Sequence, residues 1–114
     1  MSAAATQLRK RLEKIRREIA QLDLVCPGTV VHKTKRCGKP TCSCATDDDA
    51  RHGPYYEWHR TEQGRQRHSM LPQTSGPAFA DAASSAKKLR SLVKQWEQIS
   101  LEVLAEELRL NPKK

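Results

Sequence analysis

The first hydrophobic pattern of the chain predicts an amphipathic helix over residues 6–22. Its apolar residues follow one another at alternating steps of four and three, which are the a and d positions of a heptad. They are Leu8, Leu12, Ile15, Ile19 and Leu22. Thr6 precedes the pattern and is a suitable N-cap residue. Because the pattern lasts little more than two heptads, the helix needs a partner, either a second helix or another copy of the chain.

A second hydrophobic pattern predicts one long helix over about residues 77–109. Pro77 suits its first turn, and the pair Asn111-Pro112 would end it. The apolar stripe with helical spacing consists of Phe79, Ala82, Ala86, Leu89, Leu92, Val93, Trp96, Ile99, Val103 and Leu104. A helix of this length spans about 50 Å. We therefore expect it to pack along the first helix, extend into a dimer or break once.

The charges of the two helices favour antiparallel pairing. The long helix is basic in its first half and acidic in its second, the reverse of the order that the helix dipole prefers. The first helix is strongly basic along most of its length. Antiparallel pairing would place the acidic end of the long helix beside this basic helix and offset the unfavourable order.

Between the helices, the pattern predicts a small β unit. Residues 29–34 are rich in β-branched side chains, which favour a strand. Residues 55–60 combine aromatic content with alternation, and a turn at residues 62–64 would return the chain along residues 65–71 as a hairpin. Residues 72–77, rich in Ser, Gly and Pro, predict a linker.

These elements predict an α+β fold that is mostly helical, with two amphipathic helices flanking a zinc-stapled β-hairpin or three-stranded unit. The corresponding segments are residues 1–26 for the basic helix, 27–72 for the zinc-binding β module, and 73–114 for the linker and long helix. Together they form a single domain, which is the usual expectation for a chain of 114 residues.

The composition indicates a thin core and a polyanionic partner. Hydrophobic residues make up 37% of the chain, with one Phe, two Tyr and two Trp, and small scaffolds of this kind usually need a staple. The formal net charge of +8 fits contact with nucleic acid or an anionic membrane. The N-terminus lacks the apolar segment of a signal peptide, and no run of about 18 apolar residues could span a membrane. We therefore expect a cytoplasmic protein with reduced thiols.

Three of the four cysteines lie close together and predict a metal site. Cys37, Cys42 and Cys44 are followed by His52 with the spacing C-x4-C-x-C-x7-H. Zinc takes four thiolate or imidazole ligands in a tetrahedron, and a closed set of four is structural. We therefore predict that these residues bind Zn²⁺, whose binding energy becomes folding energy for the middle of the chain.

Several alternatives to this ligand set remain open. His32, His59 and His68 compete with His52 as the fourth ligand. An iron–sulfur cluster or a disulfide between two of the clustered cysteines would also use these thiols. Cys26, near the end of the first helix, is expected to be a simple thiol.

The residues around the cysteines combine aromatic and basic side chains. Tyr55, Tyr56 and Trp58 either pack beneath the zinc loop or form a platform that stacks on bases. The basic side chains predicted to contact phosphates, on the first helix and on the zinc loop, are Arg9, Lys10, Arg16, Arg17, Lys35, Arg36 and Lys39.

Two short motifs carry a family resemblance. The stretch CGKPTCSCA at residues 37–45, followed by HGPYY at residues 52–56, resembles an uncharacterised family of small bacterial proteins with a CGKPxCxCA…HGPYY signature between two helices. The resemblance covers roughly residues 8–105 and implies a setting on transposons, phages or plasmids. The chain departs from the family at Ser43, where a basic residue is common, and in its hairpin turn.

The sequence therefore predicts a non-enzymatic, zinc-binding and nucleic-acid-binding accessory protein of a mobile element, which assists a transposase or recombinase on DNA. The alternative is a helical adaptor that binds a recombinase or another protein without touching DNA. A metal-dependent enzyme is the third hypothesis, but no nucleophile–base pair accompanies the cysteines. We expect a homodimer or larger assembly, because both apolar stripes exceed what one thin core needs.

Overall fold

The fold is described from a computed structural model, which covers residues 3–110. It contains two helices and a three-stranded antiparallel sheet, so the predicted α+β fold with two flanking helices is confirmed. The elements in chain order are α1 (Ala3–Ala20), β1 (Thr29–Lys35), β2 (His52–Glu62), β3 (Arg65–Leu71) and α2 (Gly76–Leu108). Two short 3₁₀ helices, Ser43–Ala45 and Asp48–Ala50, lie between β1 and β2. Neither helix of the described chain has the length and apolar character required to cross a membrane.

The chain divides into two compact units. The helical unit joins the chain up to Leu24 with the chain from Ser85 onward, and the cysteine unit is Val25–Ser84. Helix α2 therefore supplies its first nine residues to the cysteine unit and the rest to the helical unit. The predicted segments 1–26, 27–72 and 73–114, within one domain, stay a prediction.

In the helical unit, α1 and α2 pack antiparallel, as the charge order predicts. Arg9 near the start of α1 binds Glu107 near the end of α2 through two hydrogen bonds of 3.1 and 2.7 Å. The core contains Ile15, Leu92, Ile99 and Val103, with partly buried Leu8, Leu12, Ile19, Leu22 and Trp96 packed against it. All five apolar positions predicted for the first helix thus belong to one core.

The first helix begins earlier than predicted, whereas the second ends one residue before the predicted bound. Helix α1 begins at Ala3, so Thr6 lies inside the helix and is not its N-cap. Helix α2 ends at Leu108, where Arg109 adopts φ +54° and the Leu110 N–H donates to the Ala105 carbonyl at 3.0 Å. This is the hydrogen bond of a Schellman motif, which ends a helix through one left-handed residue. The predicted stop at Asn111-Pro112 lies outside the described residues.

Part of the apolar stripe predicted for α2 is exposed. Val93 is 40% exposed and Leu104 is 48% exposed. Two further apolar residues of the helix, Leu101 and Leu108, are 48% and 59% exposed. These residues form a side of the helix that is adjacent to the buried stripe of Leu92, Ile99 and Val103. The long helix therefore carries two adjacent apolar stripes, of which one is buried in the helical unit.

In the cysteine unit, the strands pair in the order β1-β2-β3. Gln63 at φ 50° and Gly64 at φ 78° form the two-residue turn between Glu62 and Arg65, which pair with each other. Two consecutive positive φ values are typical of a type I′ hairpin turn. The predicted hairpin is therefore confirmed, and β2 is longer than predicted because it begins at His52.

One face of the sheet packs against the start of α2. A Cβ atom at Gly76 would lie 2.2 Å from the ring of Tyr56, so that ring rests directly on the helix backbone. Trp58 packs against Phe79 with ring centroids 5.2 Å apart and donates from Nε1 to the Pro27 carbonyl at 2.8 Å. These contacts hold the sheet on which the cysteine loop is mounted.

Candidate metal centre

The cysteine loop leaves and re-enters the sheet at neighbouring positions. Lys35 ends β1, His52 begins β2, and the two residues are register partners in the antiparallel ladder. The loop therefore starts and ends at one place on the sheet. Cys37 lies two residues after β1, Cys44 lies in the first 3₁₀ helix, and His52 is the residue at which the loop returns.

Local hydrogen bonds shape the loop. The Cys42 N–H donates to the Lys39 carbonyl at 3.1 Å, and the Ala45 N–H donates to the Cys42 carbonyl at 3.0 Å. Gly38 adopts φ +84°, a backbone conformation that glycine allows at no steric cost. These tight turns bring three thiols from eight consecutive residues to one side of the loop.

Arg36 fastens the loop from outside the cysteine cluster. Its guanidinium group donates to the Ala45 carbonyl at 3.0 Å and forms an ion pair with Asp48. The Asp47 side chain accepts a hydrogen bond from the Asp49 N–H at 3.0 Å and so caps the second 3₁₀ helix. The acidic loop at residues 47–49 thus has a structural partner in Arg36.

The four predicted ligands lie together. Their ligand atoms, from Cys37, Cys42, Cys44 and His52, all fall within 4.8 Å of one another. The Cys37 and Cys44 Sγ atoms are 3.6 Å apart, and Cys42 Sγ lies 3.4 Å from His52 Nε2. In a tetrahedral zinc site, bond lengths of about 2.3 Å to sulfur and about 2.0 Å to nitrogen place neighbouring ligand atoms about 3.5–3.8 Å apart. The arrangement is therefore compatible with a metal site.

The surroundings of the thiols favour a bound cation. The pKa of the Cys42 thiol is lowered, mainly because the Cys44 backbone N–H donates to its sulfur and also because of the nearby Cys44 and Cys37 thiols. The Cys37 N–H donates to Cys44 Sγ at 3.4 Å, and this hydrogen bond lowers the pKa of the Cys44 thiol. Burial and the neighbouring Cys42 and Cys37 thiols act in the opposite direction, and their larger combined effect raises the pKa of Cys44. Cys44 is fully buried at 0% exposure. A metal would keep such a crowded group of thiols deprotonated.

The other histidines and the fourth cysteine lie elsewhere. His32 stacks on Tyr56 with ring centroids 4.1 Å apart, and His59 stacks on His68. Cys26 donates its thiol to the Phe79 carbonyl at 3.6 Å. All four cysteines are free thiols. The structure thus brings His52, and none of its three predicted competitors, to the clustered cysteines.

The aromatic residues predicted to lie beneath the loop have a different position. Tyr56 and Trp58 share the face of the sheet that packs on α2, and the Arg60 guanidinium group lies 3.9 Å above the Trp58 ring. They are half-buried there, away from an open stacking platform. Alternation along β2 places Tyr55 on the opposite face.

The predicted phosphate contacts divide into engaged and free side chains. Arg9 is held by Glu107, Arg16 and Arg17 contact Glu13, Lys35 pairs with Glu57, and Arg36 pairs with Asp48. Lys10 and Lys39 form no ion pair within residues 3–110. Arg11 and Lys14, which lie on α1 with Lys10, also form no ion pair there. Within the described chain, the basic side chains of α1 that form no ion pair are therefore Lys10, Arg11 and Lys14.

The chain belongs to a family described as a domain of unknown function, DUF6788, whose model matches residues 5–79. The match includes all four clustered ligands and ends at Phe79 in the first turn of α2. No curated protein and no solved structure matches the chain. The prediction of an uncharacterised family is therefore confirmed, whereas its bacterial origin, its signature and its mobile-element setting stay predictions.

A second group of possible ligands was not predicted as a site. Glu57, His59 and His68 place their ligand atoms within 4.8 Å of one another on the sheet. Glu57 and His59 are two residues apart on one strand, so their side chains lie on the same face of the sheet. His68 joins them only through the register of the hairpin, which the sequence pattern leaves open.

Proposed function

We propose that this protein is a non-enzymatic, zinc-binding and nucleic-acid-binding accessory protein of a mobile element, which assists a transposase or recombinase on DNA. The observation that carries the zinc assignment is the cluster of three thiols and one imidazole at tetrahedral spacing. Soft thiolate ligands select zinc or an iron–sulfur cluster, and a single imidazole among three thiolates is a common structural zinc set. Four protein ligands leave no open position, which supports a structural role.

Nucleic-acid binding is supported by the free basic side chains of α1. Lys10 and Lys14 are four residues apart and therefore lie on one face of the helix. Both are exposed, and neither forms an ion pair within the described chain. Lys39 on the cysteine loop is likewise exposed and unpaired there. With a net charge of +8, these lysines favour a phosphate backbone as the partner.

A salt series with matched variants tests this proposal. Affinity for duplex DNA should fall steeply as salt rises, and the variant Lys10→Gln with Lys14→Gln should reduce the slope of log K against log salt by about 1.8, or about 0.9 for each lost phosphate contact. Arg9→Gln is the control, because Arg9 is already bound by Glu107. DNA affinity that barely depends on salt, or an unchanged slope in the double variant, would contradict phosphate-led binding.

The setting with a transposase or recombinase rests on the resemblance of the cysteine and HGPYY motifs. Its test is the DNA-bound assembly of such an enzyme, encoded beside this protein, with and without the purified chain. We expect the chain to increase the fraction of enzyme bound to its DNA ends. Equal assembly in both samples would remove this part of the proposal.

The predicted homodimer, a proposal separate from the adaptor hypothesis, is favoured by the exposed stripe of α2. Val93, Leu101, Leu104 and Leu108 lie along one side of the helix and are 40–59% exposed. Exposed apolar patches of this kind mark interaction surfaces. The occupant that we propose is a second copy, because α2 is basic before residue 95 and acidic after it, so an antiparallel copy would place opposite charges together.

The oligomeric state tests this self-association proposal. Light scattering should give twice the chain mass for the native protein and the monomer mass for Leu101→Asp with Leu104→Asp. The matched control is Leu24→Asp, an exposed leucine outside the stripe at 72% exposure. A native monomer, or a dimer that survives the double substitution, would exclude the stripe as a self-association surface.

A further inference from the structure

A group of three possible metal ligands lies on the sheet apart from the cysteine cluster. His59 on β2 and His68 on β3 are register partners, and their rings stack with centroids 3.9 Å apart. Glu57 lies two residues before His59 and therefore on the same face of the sheet. The ligand atoms of the three residues fall within 4.8 Å of one another. Because the two imidazole rings are nearly parallel, with an interplanar angle of 11°, one ring must rotate for both to bind a single ion.

Glu57 is held in a way that leaves one oxygen directed at His59. Oε2 lies 2.9 Å from Lys35 Nζ and 3.2 Å from Lys33 Nζ, whereas Oε1 lies 3.7 Å from His59 Nε2. The residue is buried at 8% exposure. The ion pairs with Lys35 and Lys33 lower the pKa of the Glu57 carboxyl to about 2, against the effect of burial. The carboxylate is therefore ionised at neutral pH.

His59 brings a buried nitrogen that has no partner in the described chain. Its Nε2 atom makes no hydrogen bond, and the 3.7 Å separation from Glu57 is too long for one. Buried polar atoms in folded proteins nearly always have a partner, and a bound ion can take the place of a hydrogen bond. A metal between this nitrogen, Glu57 Oε1 and His68 would supply the missing partner.

The chemistry of the group fits a divalent transition metal. Two imidazoles and one carboxylate form a common three-ligand set for zinc, with a fourth position left open. Ligating carboxylates are usually held by a second group, and Lys33 and Lys35 provide that contact to Glu57. Their positive charges oppose the cation, so this site should bind more weakly than the thiolate cluster. The same charges would favour replacement of water by a small anion at the open position.

We propose that Glu57, His59 and His68 form a second divalent-metal site, with nitrogen and oxygen ligands and one open position. The site is independent of the zinc assignment at the cysteines, since the two groups share no residue. Each chain then takes up two metal ions, the first at the thiolates and the second on the face of the sheet.

Metal titration of the untagged chain tests this inference. We expect two ions per chain by elemental analysis after dialysis against zinc, and one ion in His59→Gln and in His68→Gln. The control is His32→Gln, which removes a histidine from the opposite face and should keep two ions. Tryptophan fluorescence checks that each variant is folded.

Cobalt distinguishes the two sites. The first equivalent should produce the thiolate-to-metal absorption of the cysteine site, and the second should add visible absorption without increasing the thiolate band. A single ion per native chain that shows the thiolate band, or a second ion that both His59→Gln and His68→Gln retain, would overturn the inference. The thiolate band reports the cysteine site separately, so failure of one assignment is distinguishable from failure of the other.

Discussion

The helical unit and the cysteine unit differ in what they bury. The helical unit encloses Ile15, Leu92, Ile99 and Val103, each at 5% exposure or less. Between Val25 and Ser84, the buried residues are Cys44, Glu57, Gly76 and Ala83. No leucine, isoleucine, valine or large aromatic residue is fully buried in that unit. Large apolar side chains are therefore fully buried in the helical unit and at most half-buried in the cysteine unit.

The difference shows two ways in which a short chain can offset the entropy of folding. The helical unit uses antiparallel packing of two amphipathic helices, and on the proposed function the cysteine unit would use a metal cross-link between loop and sheet. Each unit contains one tryptophan, Trp96 in the helical unit and Trp58 in the cysteine unit. Trp58→Phe and Trp96→Phe therefore give chains in which the remaining tryptophan reports one unit.

The largest expected effect comes from metal removal. Structural zinc sites contribute apparent binding free energies of about 10–16 kcal/mol, which equals or exceeds the whole stability of a small domain. A strong chelator, or Cys44→Ser, should therefore abolish the native Trp58 signal and leave the Trp96 signal in place. The measurement is tryptophan fluorescence in the two single-tryptophan chains.

The control for metal removal is Cys26→Ser, which changes a thiol outside the cluster. It should keep the metal and both fluorescence signals, because the Cys26 thiol donates to the Phe79 carbonyl and does not belong to the cysteine cluster. If chelation leaves the Trp58 signal unchanged, the cysteine unit does not depend on a metal, and the contrast between the units fails.

A core substitution should produce the reverse pattern. Ile99→Ala removes a side chain that is 4% exposed, and such changes cost about 2–5 kcal/mol. We expect the Trp96 transition to move to lower denaturant concentration, with the metal content unchanged. Leu104→Ala on the same helix is the matched control, since this leucine is 48% exposed. Equal losses of stability in the two variants would mean that the described core is not the one that matters.

The smallest expected effect concerns the ion pair between the helices. The Arg9 side chain donates to the Glu107 carboxylate and lowers the pKa of that carboxyl below its ordinary value of 4.5. A lowered folded-state pKa stabilises the folded state above that ordinary value, and the gain is lost as the pH falls through the lowered pKa. Arg9→Gln should therefore weaken the helical unit slightly at neutral pH and reduce its acid sensitivity.

The measurement is denaturant unfolding of the Trp96 reporter at pH 7 and at several pH values below 4.5. Because the pair is largely exposed, added salt should diminish the difference between Arg9→Gln and the native chain. A difference that persists unchanged below the lowered pKa would show that the carboxylate charge is not its source.

The sequence predicted the elements of the fold better than their ends. Helical spacing and a two-residue turn with glycine are local signals, and they placed both helices and the hairpin. Thr6 was a wrong N-cap because Ala3, Ala4 and Ala5, strong helix formers, extend α1 past it, and Ala5 is buried at 1% exposure. On α2, periodicity could not tell which of two neighbouring apolar stripes would be covered.

The cluster of three cysteines and one histidine was predictable because its residues lie within sixteen positions of the chain. The ion pairs of the basic residues could not be predicted, because their partners are distant in the sequence or are set by the strand register. Arg9 and Glu107 are 98 positions apart, and Lys35 meets Glu57 only through the pairing of β1 with β2. The stacking of His59 on His68 likewise depends on the hairpin register. Local patterns thus found the ligands of the loop and missed the face of the sheet.

The register pairing of Lys35 with His52 also bears on how related chains can diverge. The loop leaves and rejoins the sheet at one place. Residues added between Cys44 and His52 would therefore lengthen the loop without shifting the register of any strand. The entropy cost of a longer flexible loop is small, about 0.6 kcal/mol for each doubling of its length. We therefore expect this stretch to be where family members differ most in length, while the spacing from Cys37 to Cys44 and the strand pairing stay fixed.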